Sequence, residues 1–446
     1  MDGTGWWRRE AETPSPNRRS SYASMRGPMA FRYLRFTRHD CPFFMDGVAL
    51  IWLSANRATR FRKEMAVVSL CAYLKRPVAA ALFVLSGLLP AAAAPSQAPT
   101  AAPPVPVELP AGTYDARGTA LSALVYVPDA ARARGKAPLL VLLHGCEQDA
   151  WTFFEDSGWK DMADAHGFVA LMPAQKHNLL SMVGTGGFGR YGNPLGCFNF
   201  ADRLNSPLKG FIPREAAAIA SMVGAVVSGK GLGADGPAVD AERVSVTGLS
   251  AGAGMAATLL ADYPQLFAGG ALFAGVPALC AQSMQSAASL CGISVMRSCG
   301  EVKARSGGYD SREWAKAIQG ARHPAGRPRV LIVQGTADCT VDPQNALYLT
   351  NQWTAFHGLK ADSPVVIGQE PSWPERAVRQ GYAPAGANAP WVETVLLKDV
   401  GHVMPIDTGN PQRPCGRVRA SDKKTYIEDV GFCGAALAAG FLQLEP

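Results

Sequence analysis

The sequence has no apolar run long enough for an ordinary membrane span. Its candidate, PVAAALFVLSGLLP at 77–90, is shorter than the roughly 20 residues a spanning helix needs, so no stable membrane partner is expected. It also lacks a zinc-type arrangement, because no CxxC pair faces a pair of histidines at ligand spacing. No metal and no organic cofactor is implied. A basic surface is missing too, despite a formal charge of +7. Residues 1–94 carry 14 Lys and Arg against 6 Asp and Glu, whereas the remainder carries 29 against 30. Nothing in that remainder would steer nucleic acid, which needs clustered cations to displace counterions. Charged residues are scarce at 18% and hydrophobic ones plentiful at 48%, a balance that suits a large buried core and excludes disorder of the whole chain.

What is present begins with an export pattern. From Met65, the charges Lys75 and Arg76 precede the short apolar run and the small residues Ala91 to Ala94, the three parts of a secretory signal peptide. Residues 65–94 are read as that signal, cleaved near Ala93 or Ala94, and the protein is expected to be secreted. Residues 1–64 show no sustained period of 2 or 3.6 and receive no fold assignment; an early start codon would account for them. The Pro/Ala-rich stretch 95–109 reads as an extended linker, followed by a catalytic domain over 110–446 starting near Pro110. Eight of the ten cysteines lie beyond the signal, which in an exported chain points to disulfides.

Short apolar runs at 138–145, 168–173, 244–248, 270–275, 330–335 and 392–397 have the length and β-branched content of strands buried on both faces. Helical patterns at 150–165, 213–228, 251–262, 342–357 and 434–443 alternate with them. That alternation predicts an α/β fold, a mostly parallel central sheet with helices on both faces. Two stretches break the rhythm. The glycine- and aromatic-rich segment 176–212 is expected to be a substrate-facing loop, and 276–328, with three cysteines, a pinned surface excursion.

The chemistry is carried by Gly248-Leu249-Ser250-Ala251-Gly252, which follows a β-branched run and precedes a credible helix. G-x-S-x-G in that context holds a serine hydroxyl on a tight turn above the sheet. Alone the motif is weak in a chain with 46 glycines. Such a serine needs a base and an acid, delivered later in the chain. His402 directly follows the last core strand, whereas His357 sits where a helix C-terminus would use it structurally. The acid is read as Asp338, in the turn off its strand, over Asp342, which reads as the N-cap of the next helix. Asp399 is read as a surface or loop residue. Oxyanion donors are expected from the amides of Ala251 and Cys146, the latter in the turn after the first long strand. A Cys146–Cys197 disulfide is expected to tie that turn to the irregular loop, although spacing alone does not set connectivity.

With these residues in view, the chain resembles the polyhydroxybutyrate depolymerase family of secreted esterases, related to feruloyl and acetylxylan esterases. The likeness runs through LLHGCEQD, VTGLSAGAGMAATLLADYPQLFA, QGTADCTVDPQNA and VGHVMP. It implies an α/β-hydrolase fold with Ser250 as nucleophile, Asp338 and His402 completing the triad, and Cys146 contributing its amide. The family's tryptophan-rich segment is matched by Gly196-Cys197-Phe198-Asn199-Phe200, where phenylalanine keeps the aromatic surface and loses the indole donors. Gln148, Trp151, Phe198, Asn199 and Phe200 are the expected substrate contacts, and a polyester or oligoester the expected partner. The chain stops soon after Gly440 without a polymer-binding module, so slower attack on crystalline polymer than on soluble oligomers is expected. The alternatives are a feruloyl or acetylxylan esterase, an acyltransferase on the same triad, or a secreted binding protein on a retired hydrolase fold.

Overall fold

The computed structural model describes residues 104–177, 192–204, 212–294, 327–368, 377–419 and 425–445, with Ile318 and two short strands near the N-terminus. Residues 1–95 and 96–446 form separate compact units. In the first, Leu34–Arg35 pairs antiparallel with Val48–Ala49; the expected signal peptide lies outside the described residues.

The second unit is built on a ten-stranded sheet. Its strands are β1 (Val107–Glu108), β2 (Ser122–Tyr126), β3 (Lys136–Leu143), β4 (Val169–Ala174), β5 (Ala238–Leu249), β6 (Gly269–Phe273), β7 (Arg329–Gly335), β8 (Val366–Gly368), β9 (Ala377–Tyr382) and β10 (Val392–Leu397). The spatial order is β8-β9-β10-β7-β6-β5-β3-β4-β2-β1. The six strands from β10 to β4 run parallel, and antiparallel pairs close both edges. β1 lies inside the stretch expected to be linker, so the sheet starts ahead of Pro110.

The parallel strands are mostly apolar because both faces are covered. Along β3, Leu139, Val141 and Leu143 enter one core while Leu140 and Leu142 enter the other; β7 divides in the same way, Val330 and Ile332 against Leu331 and Val333. On the first face pack α4 (Arg214–Val227), α5 (Ala251–Asp262) and α7 (Gln344–Phe356), whose Ile219, Leu259 and Trp353 join the first core. On the second face pack α2 (Ala150–Asp156), α3 (Trp159–His166) and α8 (Gly434–Phe441), through Phe154, Trp159 and Ala438. Two shorter helices are α1 (Asp129–Arg132) and α6 (Met284–Leu290). A small parallel pair, β11 (Met404–Ile406) with β12 (Ile427–Asp429), follows β10.

One expected helix, 150–165, is in fact two. Gly158 breaks it at φ +84°, and a β-carbon there would come within 2.9 Å of Cys415 Sγ. The break lets the segment around Cys415, held by the Cys415–Cys433 disulfide, lie against the α2–α3 junction. Cys146–Cys197 and Cys280–Cys291 are also bonded, as is Cys339.

Candidate active site

Four loops leave the C-terminal ends of β3, β5, β7 and β10, which in a parallel sheet is the edge where ligands bind. The β5 loop carries Ser250 at φ 58°, ψ −120°, a backbone region that side chains avoid and that surrounding structure must enforce. The enforcement is visible in its glycines. A β-carbon on Gly252 would sit 2.2 Å from Leu143 O and 2.6 Å from His144 O, and one on Gly248 would sit 2.5 Å from Gly252 C. The turn is therefore folded so closely against the end of β3 that only glycine fits two residues to either side of Ser250. Ser250 N donates to Phe273 O at 2.9 Å, fastening the turn to β6.

The β3 loop runs beside it, since a β-carbon on Gly145 would lie 3.5 Å from Ser250 Cβ. Its amides are divided. Gly145 N donates to Gln148 Oε1 at 2.6 Å and Glu147 N to Leu195 O at 2.8 Å. Among the described residues Cys146 N, the amide between them, donates to no protein acceptor. Ala251 N, at the first position of α5, has no carbonyl one turn back to bond. The Cys146–Cys197 disulfide ties this loop to residues 192–204.

The β7 and β10 loops are joined to each other. Thr336 N donates to Leu397 O, Ala337 N to Val400 O, and Asp399 N to Thr336 Oγ1, at 2.9, 3.0 and 2.9 Å. Across this seam His402 Nδ1 donates to Asp338 Oδ2 at 2.7 Å. Asp338 is also held by Thr340 N and Val341 N, both 2.8 Å from Oδ1, and by Gln334 Nε2 at 3.0 Å from Oδ2. Donors surround the carboxylate, so the hydrogen of the contact belongs to His402 Nδ1 and the lone pair of the ring faces away on Nε2. Asp342, the rejected acid, accepts from Gln344 N at 3.1 Å beside α7. His357 ends α7 and bonds Pro328 O at 3.0 Å.

The expected substrate contacts are placed differently from that expectation. Phe198, Asn199 and Phe200 are buried. Phe198 packs on the His144 ring, centroids 4.9 Å apart, and Phe200 packs on Gly254 of α5. Gln148 is a crossbar: its oxygen holds Gly145 N and its Nε2 donates to Thr425 O at 2.5 Å. Trp151 packs with Tyr126 and Phe154 in the second core. In this conformation Gln148, Phe198, Asn199 and Phe200 support the loops from behind, while Trp151 is half-buried.

That support includes a buried polar network the sequence reading missed. Glu215 on α4 accepts from Gln175 Nε2 (2.6 Å), Asn199 Nδ2 (2.6 Å) and Asn199 N (2.7 Å). Gln175 N in turn donates to His144 Nε2 at 3.2 Å, leaving His144 Nδ1 to donate to Gly145 O at 2.7 Å. Burial holds His144 neutral, lowered to about 4, and raises Glu215 to about 7 against the pull of its three donors. A signal for Glu215 existed: it stands on the apolar stripe of α4 with Ala218, Ile219, Met222 and Val226, where a carboxylate must find donors.

The raised Glu215 carboxyl has a stability consequence. Its folded-state value lies above the unfolded one, so its contribution is fully present below about pH 4.5 and is lost as pH rises through about 7. The loss is on the order of 3 kcal/mol. Urea unfolding at pH 5 and pH 8 should show the wild type falling by more than Glu215→Gln does; equal falls would remove Glu215 as the cause.

A mostly parallel sheet covered on both faces, with a strained serine on a strand-to-helix turn and a carboxylate-bound histidine on loops at the same sheet edge, has the features of the α/β-hydrolase class. The chain belongs to the esterase PHB depolymerase family, whose model matches residues 121–365. Poly(3-hydroxyalkanoate) depolymerase C of Paucimonas lemoignei is 32% identical over 306 residues, covering 67% of this chain and 61% of that protein. The chain thus spans less than two thirds of that relative. Acetylxylan esterase A of Emericella nidulans is 27% identical over 242 residues, covering 54% of this chain and 68% of that one. Feruloyl esterase B of Thermothelomyces thermophilus is 27% identical over 267 residues, covering 59% and 79%. Among solved structures, the acetyl xylan esterase from Aspergillus awamori aligns over 67% of this chain and 93% of its own, with a TM-score of 0.49 and 20% identity.

Proposed function

We propose that the protein is an exported serine esterase that hydrolyses short-chain 3-hydroxyalkanoate ester bonds through Ser250, His402 and Asp338. The observation that supports the mechanism is the 2.7 Å hydrogen bond from His402 Nδ1 to Asp338 Oδ2, on loops that share a sheet edge with the strained Ser250. In this reading Ser250 Oγ attacks the ester carbonyl carbon while His402 Nε2 takes its proton. The oxygen of the tetrahedral intermediate is met by the amides of Cys146 and Ala251, and Asp338 stabilises the imidazolium. His402 then returns the proton to the departing alcohol oxygen, leaving an acyl group on Ser250. Water, deprotonated by His402, attacks that acyl group and releases the acid, and the serine recovers its proton.

The 3-hydroxyalkanoate assignment is supported by the likeness to a poly(3-hydroxyalkanoate) depolymerase. The acetylxylan and feruloyl esterases among the relatives support the second reading, a carbohydrate esterase. A side-by-side assay on hydroxybutyrate oligomers, amorphous and crystalline polyhydroxybutyrate, acetylated xylan and feruloyl esters separates them. Oligomer turnover is expected to give the highest kcat/KM. Turnover of the plant-wall esters alone would overturn the polyester reading and leave the mechanism in place. Export is tested by the N-terminus of the mature protein, expected near residue 94.

A further inference from the structure

We infer that Tyr426 is a positioning residue for His402, and that its bond to Glu147 sets the base and the oxyanion turn in one frame. The inference rests on the reading of His402 as general base. The Tyr426 ring stands edge-on to the His402 imidazole, with centroids 5.9 Å apart and planes at 79°. Its hydroxyl donates to Glu147 Oε2 at 2.8 Å, on the turn that carries the Cys146 amide. The neighbouring Thr425 O is held by Gln148, the same side chain that fastens Gly145 N. Two adjacent residues of one segment are thus bonded to two adjacent residues of the other, and the ring between them closes on the histidine.

The backbone points the same way. Tyr426 sits at φ 53° and Glu147 at φ 64°, where glycine is at ease and a bulky side chain is strained. Ser250 at φ 58° and Asp399 at φ 60° share the region, so each of these loops holds a non-glycine residue in it. The two left-handed residues, Tyr426 and Glu147, are the pair joined by this bond.

A tilt of the imidazole matters because proton transfer from Ser250 depends on direction as well as distance, and a displacement near 1 Å can cost about 100-fold. His402 Nδ1 is fixed by Asp338, which leaves the ring free to swing about that bond; the Tyr426 edge limits the swing. The role therefore predicts a loss in kcat with KM preserved, and coupling between Tyr426 and Glu147.

The test is a double-mutant cycle with kcat and KM measured separately on p-nitrophenyl acetate, a small ester that demands little of the pocket walls. Tyr426→Ala is expected to lower kcat by about 10- to 100-fold with KM within about twofold. Tyr426→Phe keeps the ring and loses the bond to Glu147, and is expected to recover only part of that loss, leaving kcat about 3- to 5-fold below wild type, as Glu147→Ala alone should also do. Tyr426→Phe and Glu147→Ala together are expected to lower kcat no further than either alone, because they break one bond. Unchanged kcat in Tyr426→Ala, a loss confined to KM, or additive effects of Tyr426→Phe and Glu147→Ala would overturn the positioning role. Should Tyr426→Ala fail to fold, the Tyr426→Phe and Glu147→Ala pair decides alone. Full activity in His402→Ala would instead overturn the general-base reading beneath it.

Discussion

Ser250→Ala is expected to lower kcat by about four to six orders of magnitude while the protein remains folded, as judged by circular dichroism and an unchanged urea midpoint. The size follows from the roles proposed: without Oγ no acyl-enzyme forms, and the remaining rate is what the oxyanion amides and binding provide to direct attack by water. Asp338→Asn is expected to cost roughly 10⁴-fold. An amide at that position offers an NH₂ group to His402, which would have to accept through Nδ1 and present a hydrogen to the serine from Nε2. Asp342→Asn is the informative control, because Asp342 accepts from Gln344 N at the start of α7. A loss of that size from Asp342→Asn, with Asp338→Asn nearly silent, would reverse the assignment of the acid. Labelling by a fluorophosphonate should fail in Ser250→Ala and be slow in His402→Ala.

Gly252→Ala is expected to destabilise the domain by more than about 3 kcal/mol, or to abolish soluble expression. The added methyl would lie 2.2 Å from Leu143 O and 2.6 Å from His144 O, and both are backbone atoms at the end of a central strand that cannot move aside as a flexible side chain would. Gly248→Ala is expected to behave similarly, its methyl meeting Gly252 C at 2.5 Å. Gly224→Ala, in the interior of α4 with open space around its β-carbon position, should be neutral or add up to about 1 kcal/mol. Urea midpoints of the three variants make the comparison directly, and a mild effect at Gly252 would mean that the serine turn is looser than its packing shows.

These contrasts separate what was legible in the chain from what was not. The α/β layering was readable because a strand buried on both faces is apolar at nearly every position, as Leu139 to Leu143 are, and because helices alternate with such runs. The departure at Gly158 was not, since the reason for breaking the helix there is the approach of Cys415, which is remote in sequence. The candidate pairing of His402 with Asp338 rested on each following the end of a strand, a local property. Their hydrogen bond forms because β7 and β10 are neighbours in the sheet.

Aromatic residues misled where composition alone was used. Phe198 and Phe200 lie in a segment that looked substrate-facing, yet both are buried against His144 and α5. An aromatic side chain is equally suited to a pocket wall and to a core, and only its neighbours distinguish the two.

The sequence by itself determined the class of sheet, the strand-to-helix turn at Ser250, and the order in which the proposed serine, acid and histidine arrive. Each of these is written in a few consecutive residues whose steric demands are local: glycines where a β-carbon cannot fit, β-branched runs where both faces are covered. Only the tertiary structure decided that Gln148 braces the turn after β3 against Thr425, that Glu215 anchors Gln175 and Asn199, and that Tyr426 reaches Glu147 from 279 positions away. Such contacts join residues brought together by the stacking order of strands. A single side chain carries no local pattern that announces its partner, and the free energy that selects the pairing is realised only when the sheet has assembled.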